Sequence, residues 1–579
     1  MRCDKFSCLL LCWLASLGGF IFSFLRTDFL LTCNPPSLRK HTCPTDAMAS
    51  INPKFTDLPK LIEWPEPPSP AKHFNFSTDP RKCGYRLPNP RGTYKVGETL
   101  KVEITARDQN GRLKEYGGDF FQAKLHSPEL KAGVTGQVRD YGNGSYLATF
   151  LLPWTGLAHI HIRLIHSSEA VDILKKKRES FPEKVFFHGF FHFDGSSEVV
   201  ECNLKITRKD VCRYKNPLSE DTWECVKPQR LPCNAWVYHS FGGYRTVTNI
   251  TENLLLNSSV TNQVVPGSIP PIHVTSDTLG KILKHLHNAM YFYNYSCLPC
   301  SLCIILVNIK PHAHRRFYMF ASLNRSCCLA DLTSNLTVCR PGQEPPQPSG
   351  FYYNDVWTSL TCSARHFPSP SDALACLQGK DIHMLGDSTL RQWFEYLENF
   401  IPSLKRIDLH VNYQSGPLLA VDPNAGLVMR WRGHGLPLRT RKTMVSDLHY
   451  EVAHLAGIGG GPQTIVVLTL WAHFTTFPVS VYLDRLERVH QAIASLLFRS
   501  PETKVIIKSA NTGYKSIYDS DWLSLQLDIL LRETFKGMAV TIIDAWDMTS
   551  CHYLPDNIHP GPPVIRNEVD LLLSYICPT

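Results

Sequence analysis

The period of hydrophobic residues changes along the chain, and that change demands at least two architectures. Between about 92 and 168, Leu100, Val102, Ile104 and Ala106 alternate with polar residues, as do Tyr146, Ala148 and Phe150, and then Ile160, Ile162 and Leu164. A period of two buries one face of a strand. Asp140-Tyr-Gly-Asn-Gly-Ser145 supplies a turn between two such runs. Short strands at this spacing predict an antiparallel, Ig-like β-sandwich over residues 91–180. After about 365 the pattern differs. Ile382-His-Met-Leu385, Ile465–Leu470, Val505–Lys508 and Ala539–Ile543 are short apolar runs. Helical spacings separate them, such as Leu390, Phe394 and Leu397, or Val479, Leu483, Leu486, Val489, Ile493 and Leu497, or the stretch Leu523–Phe535. Strands alternating with helices predict a three-layer α/β domain over 361–579, its parallel sheet covered on both faces.

A chain of 579 residues is too long for one core, and 43% hydrophobic with 19% charged residues is a globular composition. The net charge of +9 is a mild basic bias. No basic run is interleaved with aromatics along a helix, so no nucleic-acid partner is expected. Arg2 and Lys5 precede an uncharged stretch from Phe6 to Leu25, and Arg26 follows it. About 20 residues can cross a bilayer core of roughly 30 Å. Residues 1–26 are therefore read as a signal anchor, with a cleaved signal peptide as the alternative. Residues 27–90 are Pro-rich, with Pro65, Pro67, Pro68 and Pro70 close together, and read as a stem.

N-x-S/T sequons begin at Asn75, Asn143, Asn249, Asn257, Asn294, Asn324 and Asn335, all before residue 340. The 20 cysteines are many for a cytosolic enzyme. Both features place the chain in the secretory pathway, either as a Golgi lumenal type II membrane protein or secreted. Residues 181–360 read as a Cys-rich glycosylated region. Cys297, Cys300 and Cys303 form C-x-x-C-x-x-C without a fourth ligand at a familiar spacing, so disulfides and no metal site are expected. His159 and His161 read as exposed strand histidines. Lys175-Lys-Lys-Arg178 reads as a solvated loop, with protease cleavage as the alternative.

Two motifs carry chemistry. The strand Ile382–Leu385 runs into Gly386-Asp387-Ser388 and then a helix, which sets the serine hydroxyl at the carboxyl end of a sheet, where open α/β folds bind ligands. The serine amide then lies at a helix N-terminus and can donate to an oxyanion. Serine needs a general base. Asp556-Asn-Ile-His559 follows the last strand, bracketed by Pro555 and Pro560. An Asp three positions before a His can orient the imidazole, giving Ser388, Asp556 and His559 as a catalytic triad.

Gly386-Asp-Ser-Thr-Leu-Arg-Gln-Trp393 and Asp556-Asn-Ile-His-Pro560 resemble the two end motifs of the PC-esterase domain, a branch of the SGNH-hydrolase superfamily. The upstream β-rich and Cys-rich regions resemble neurexophilin. Together they resemble the neurexophilin and PC-esterase domain family over nearly the whole chain after the stem. The resemblance implies an SGNH-hydrolase-like fold, Ser388 as nucleophile with Asp556 and His559 as partners, and chemistry on glycan acetyl groups. The wider superfamily adds an Asn as an oxyanion donor after a central strand. Trp471-Ala-His-Phe474 stands there instead, which makes His473 a candidate donor, along with Gly386, Asp387 and Gly435 as oxyanion or substrate contacts. The expected function is an O-acyl, in particular O-acetyl, transferase or esterase acting on a glycan or glycoprotein. It needs no bound cofactor. A transferase would take an acyl donor, with acetyl-CoA the candidate, and the basic bias suits an anionic sugar such as sialic acid. The alternative is a catalytically silent ligand that binds a receptor ectodomain through its neurexophilin-like part.

Overall fold

The computed structural model describes Phe55 and residues 57–68, 73–207, 210–276, 304–306, 319–321, 332–333, 335–514 and 518–578. The candidate anchor, the Cys297–Cys303 motif and the sequons at Asn294 and Asn324 lie outside the described residues. Asn75, Asn143, Asn249, Asn257 and Asn335 are all exposed. Among the described residues, no helix is long and apolar enough to cross a membrane.

The first β region comprises β1 (Gly84–Arg86), β2 (Tyr94–Lys95), β3 (Thr99–Thr105), β4 (Phe120–Ser127), β5 (Ala132–Asp140), β6 (Ser145–Leu151) and β7 (Gly156–His166). The alternating residues Leu100, Val102, Ile104, Tyr146, Ala148, Phe150, Ile162 and Leu164 fill one core, as their period requires. Strand β5 pairs with β4 through Gly136 and with β6 from Gln137 onward. Hydrogen bonding therefore runs without a break from β1 through β3, β6, β5 and β4 to β7, so these antiparallel strands form one connected sheet.

Helix α1 (Ser168–Ser180) follows, its first turn capped where the Ala170 amide donates to Ser167 Oγ. It absorbs Lys175–Arg178, which was expected to be a loop. Arg178 is buried and donates to Gln526 Oε1 at 2.7 Å. Val171 and Leu174 pack with Trp522, which made the segment helical despite its run of cations.

A second antiparallel sheet contains β8 (Val185–Phe193), β9 (Ser196–Asn203), β10 (Val211–Lys215), β11 (Thr222–Val226) and β12 (Trp236–Tyr244). Disulfides Cys202–Cys225 and Cys212–Cys233 staple it. The connection onward holds α2 (Ile250–Leu255), β13 (Gln263–Val264), β14 (Ile272–Thr275), the paired β15 (Ile304–Leu306) and β16 (Met319–Ala321), and the hairpin β17 (Gly350–Tyr353) and β18 (Val356–Ser359).

The C-terminal half contains α3 (Pro370–Leu377), β19 (Asp381–Leu385), α4 (Ser388–Phe400), β20 (Lys405–Ile407), β21 (Leu418–Asp422), β22 (Leu427–Arg432), β23 (Thr443–Met444), α5 (Glu451–Gly457), β24 (Thr464–Leu468), α6 (Val479–Arg499), β25 (Lys504–Lys508), α7 (Asp521–Phe535), β26 (Thr541–Ile543), α8 (Ala545–Ser550) and α9 (Pro562–Ile576). Its sheet runs β20-β21-β22-β19-β24-β25-β26. The five strands from β22 onward are parallel, but β20 and β21 are antiparallel, so the sheet is mixed, not parallel. The edge needs only one covered face, and Leu418, Ala420 and Asp422 alternate accordingly. The central strand β24 is buried along its whole length because both faces are covered. Ile465 and Val467 join α4 and α9 on one side; Val466 and Leu468 join α6 and α7 on the other.

The stem expected over 27–90 is docked at its C-terminal part. Phe55 and Leu58 enter the core beneath α6 and α7. Trp64 donates to the Gly118 carbonyl at 2.7 Å and meets Phe120 and Trp522 edge-on. The β4–β7 face is likewise occupied. Lys124 Nζ donates to the His552 carbonyl at 2.6 Å, and Thr135 Oγ1 lies 2.6 Å from Ser550 Oγ. His159 and His161 are half-buried beside His126, not exposed.

Cys376 of α3 and Cys577 after α9 form a disulfide across 201 residues, closing nearly all of this half into one loop. Chain-entropy reasoning gives such a loop about 5 kcal/mol. The Cys376→Ala/Cys577→Ala variant is therefore expected to unfold at a clearly lower temperature by scanning calorimetry; an unchanged transition would contradict that role.

Candidate active site

The turn after β19 can be built only around a glycine. A Cβ on Gly386 would lie 2.5 Å from Thr469 Cγ2 and 2.7 Å from the Thr469 carbonyl oxygen. The Gly386 amide donates to the Arg432 carbonyl at 3.0 Å, so it holds the strand end and is not an oxyanion donor. Asp387 is the N-cap of α4. Its Oδ1 accepts from the Thr389 amide at 2.8 Å and Thr389 Oγ1 at 2.7 Å, and its Oδ2 accepts from the Ala472 amide at 3.3 Å. Asp387 is 1% exposed and thus ties the turn to the loop after β24. Ser388 opens α4. Its amide is among the first-turn amides without an intrahelical acceptor, and it sits at the positive end of the helix dipole.

Ser388 Oγ lies 2.8 Å from His559 Nε2. The loop carrying His559 is braced at each position. The His559 amide donates to Asn557 Oδ1 at 3.0 Å, Asn511 Nδ2 donates to the Ile558 carbonyl at 2.7 Å, and Gln392 Nε2 donates to the Pro560 carbonyl at 3.2 Å. Gly513 adopts φ +110°, and a Cβ there would meet Asn557 Cα at 2.5 Å. Asn511 is itself oriented by Lys508, whose buried ammonium donates to Asn511 Oδ1. Asp556 directs Oδ1 and Oδ2 to Arg163 of β7, at 2.9 and 2.8 Å.

Residues 357–577 match the family model described as the C-terminal domain of NXPE family member 4-like proteins, and residues 62–263 match the Neurexophilin model. The chain belongs to the neurexophilin and PC-esterase domain family. The Ser388–His559 pair lies within the first match, and Arg163 lies within the second.

The electrostatics favour a neutral base. His559 keeps part of its surface in water, yet surrounding protein atoms lower its pKa below the usual 6.5. Asp387 opposes that shift, and Arg391 and Lys508 add to it. Desolvation also pushes the pKa of buried His473 well down, helped by the positive fields of His434, Arg439 and His559. The protons of this histidine pair follow from its partners. His434 Nδ1 lies 2.8 Å from the Gly435 carbonyl, which can only accept, so Nδ1 carries the proton. His434 Nε2 is then a lone pair, and His473 Nδ1, 2.9 Å away, donates to it. Neutral His473 is left with an unprotonated Nε2. It offers an acceptor, not the oxyanion donor anticipated from its position after the strand. Gly435 serves this chain through its carbonyl and is buried under Tyr450.

Sequence reading missed Asn511, Lys508, Gln392 and Arg163. Gln392 stood inside the nucleophile motif, and Asn511 follows the carboxyl end of β25, where ligands collect in α/β sheets. Arg163 gave no local signal. Among the described residues, no cluster of three or more His, Cys, Asp and Glu could hold a metal ion.

Because the pKa of His559 is lowered, its basic form persists below pH 6.5. The rate of Ser388 labelling by an alkyl fluorophosphonate should fall on acidification with a midpoint below pH 6.5. A midpoint at or above pH 6.5 would contradict the electrostatics described. Gly513→Ala should slow labelling by about 100-fold, the scale for a displacement near 1 Å.

Proposed function

We propose that the protein is a serine-dependent O-acyl transferase or esterase acting on glycan hydroxyls in the secretory pathway, with an SGNH-hydrolase-like centre. The 2.8 Å contact between Ser388 Oγ and a neutral His559 Nε2 at a helix N-terminus carries the reading. As Ser388 Oγ bonds to an acyl carbonyl carbon, its proton passes to His559 Nε2, and the carbonyl π pair moves onto oxygen beside the Ser388 amide. Collapse breaks the bond to the leaving group, which takes the proton from His559 and leaves an acyl-serine. An incoming hydroxyl then gives its proton to His559 and attacks the same carbon, and Ser388 departs with the proton restored. A sugar hydroxyl in that second step gives transfer; water gives hydrolysis.

His473 Nε2 has no hydrogen-bond partner among the described residues, and in this reading it is a candidate acceptor for a hydroxyl of the bound substrate. Acetyl-CoA is the donor this reading would test first. The disulfides and exposed sequons support a lumenal or extracellular setting, and a Golgi site suits a glycan-modifying transferase.

The Neurexophilin match over 62–263 favours a second role, receptor binding by the N-terminal half. One experiment separates the readings. Wild type and Ser388→Ala are expressed in glycan-producing cells, and glycan O-acetylation is compared by mass spectrometry. A gain that falls by about a thousandfold or more in the variant is the expected result for transfer. A serine-dependent loss means esterase. No difference between two exported proteins would favour the receptor-binding role.

A further inference from the structure

The loop that presents the candidate base is clamped from the other half of the molecule. Arg163 projects from β7 on the face turned toward the C-terminal half. Its Nη1 donates to Asp556 Oδ1 at 2.9 Å and its Nη2 to Asp556 Oδ2 at 2.8 Å, the fork-on-fork geometry that fixes orientation as well as distance. The side chains are 13% and 5% exposed, so the pair is shielded from the screening that weakens surface ion pairs. The guanidinium is itself held in place: Nη1 also donates to Asn262 Oδ1 at 3.0 Å and Nη2 to Gln122 Oε1 at 2.9 Å. Lys124 and Thr135 grip the chain just before Asp556, at His552 and Ser550. The sheet of the N-terminal half thus forms one wall of the groove in which residues 550–560 lie.

The charges around the pair give the clamp a second task. Asp521 lies fully buried nearby, accepting from the Gly513 and Tyr514 amides at 2.8 Å each and from Gln122 Nε2 at 3.2 Å. Its pKa is pushed up to about 7, by burial first and by the negative charge of Asp556 second. The fields of Lys124 and of His161 also couple to Asp556, and burial lowers the His161 pKa to about 4, which keeps that ring neutral over this range. Asp521 already takes up a proton near pH 7 while Arg163 holds Asp556; without the guanidinium, which lowers the Asp521 pKa, that proton would be held to higher pH and would be shared with Asp556, so its titration would reach the turn itself.

We infer that Arg163, supplied in cis by the neurexophilin-like half, is a positioning residue for the candidate acyl-serine centre: it fixes the Asp556 carboxylate and, through it, the turn that delivers His559 Nε2 to Ser388 Oγ. The inference rests on the acyl-serine reading above. It makes the N-terminal half part of the site, so the C-terminal half alone would hold the nucleophile without its full support.

The test uses the full chain. Ser388 labelling by an alkyl fluorophosphonate is followed from pH 5 to 8 for wild type, Arg163→Met, Arg163→Lys and Gln122→Ala, with an unfolding temperature for each. Arg163→Met should label about 10- to 100-fold more slowly, and its pH profile should gain a second protonation step absent from wild type. Arg163→Lys should recover part of the rate and lose the extra step, because it returns the charge without the fork. Gln122→Ala should slow labelling a few-fold. A folded Arg163→Met protein with the wild-type rate and profile overturns the inference. If Arg163→Met is not exported, wild-type behaviour of both Arg163→Lys and Gln122→Ala overturns it instead. Wild type that fails to label at Ser388 overturns the acyl-serine reading and the inference with it, whereas independence from Arg163 removes the inference alone.

Discussion

The centre depends on one loop, residues 555–561, being held still against the first turn of α4. The bond between Ser388 and His559 cannot do this by itself. A hydrogen bond between neutral groups contributes about 1 kcal/mol net, while ordering each residue of a loop costs about 1–2 kcal/mol. The ordering comes from outside the pair. Asn511 and Gln392 take the carbonyls of Ile558 and Pro560, Gly513 admits the Asn557 backbone, and Arg163 holds Asp556. These braces come from β7, α4 and the loop after β25, so the geometry of the pair records packing from both halves of the chain.

Burial sets the charge states around that loop. Asp387 lies beside Ser388 yet spends its oxygens on Thr389 and Ala472, so it shapes the turn. Burial keeps His434 and His473 neutral, and the Gly435 carbonyl at one end of the chain dictates which nitrogen is bare at the other. Lys508 is fully buried behind the site and acts through Asn511.

The halves of the chain interlock in ways that their order along the sequence does not suggest. Strand β23, from the C-terminal half, extends the second β sheet through β12. Tyr352 of β17 pairs with Gly133 of β5, and residues near Leu58 and Trp64 bridge the two cores. A face of the N-terminal sheet that would suit a partner protein is spent on residues 550–556. Any receptor contact must therefore use another surface of that half.

Local pattern alone determined a good deal. Period two marked β3, β6 and β7, and apolar runs with helical spacings marked β19, β24, β25, α6 and α7 to within a residue or two, because burial on one or both faces writes itself into adjacent positions. The motifs containing Ser388 and His559 were legible for the same reason, since a strand–turn–helix unit and a proline-bracketed loop are local objects. The antiparallel edge β20–β21 was not read, and Lys175–Arg178 looked like a loop until Trp522 covered the apolar side of α1. Arg163 stood among alternating strand residues as one more polar position. Its partner lies 393 residues away, and only folding brings them together. The proton arrangement of His434 and His473 belongs to the same class. A side chain's chemical identity is fixed by the sequence, but its charge, its orientation and its role depend on which distant groups share its enclosure, and tertiary packing alone decides that.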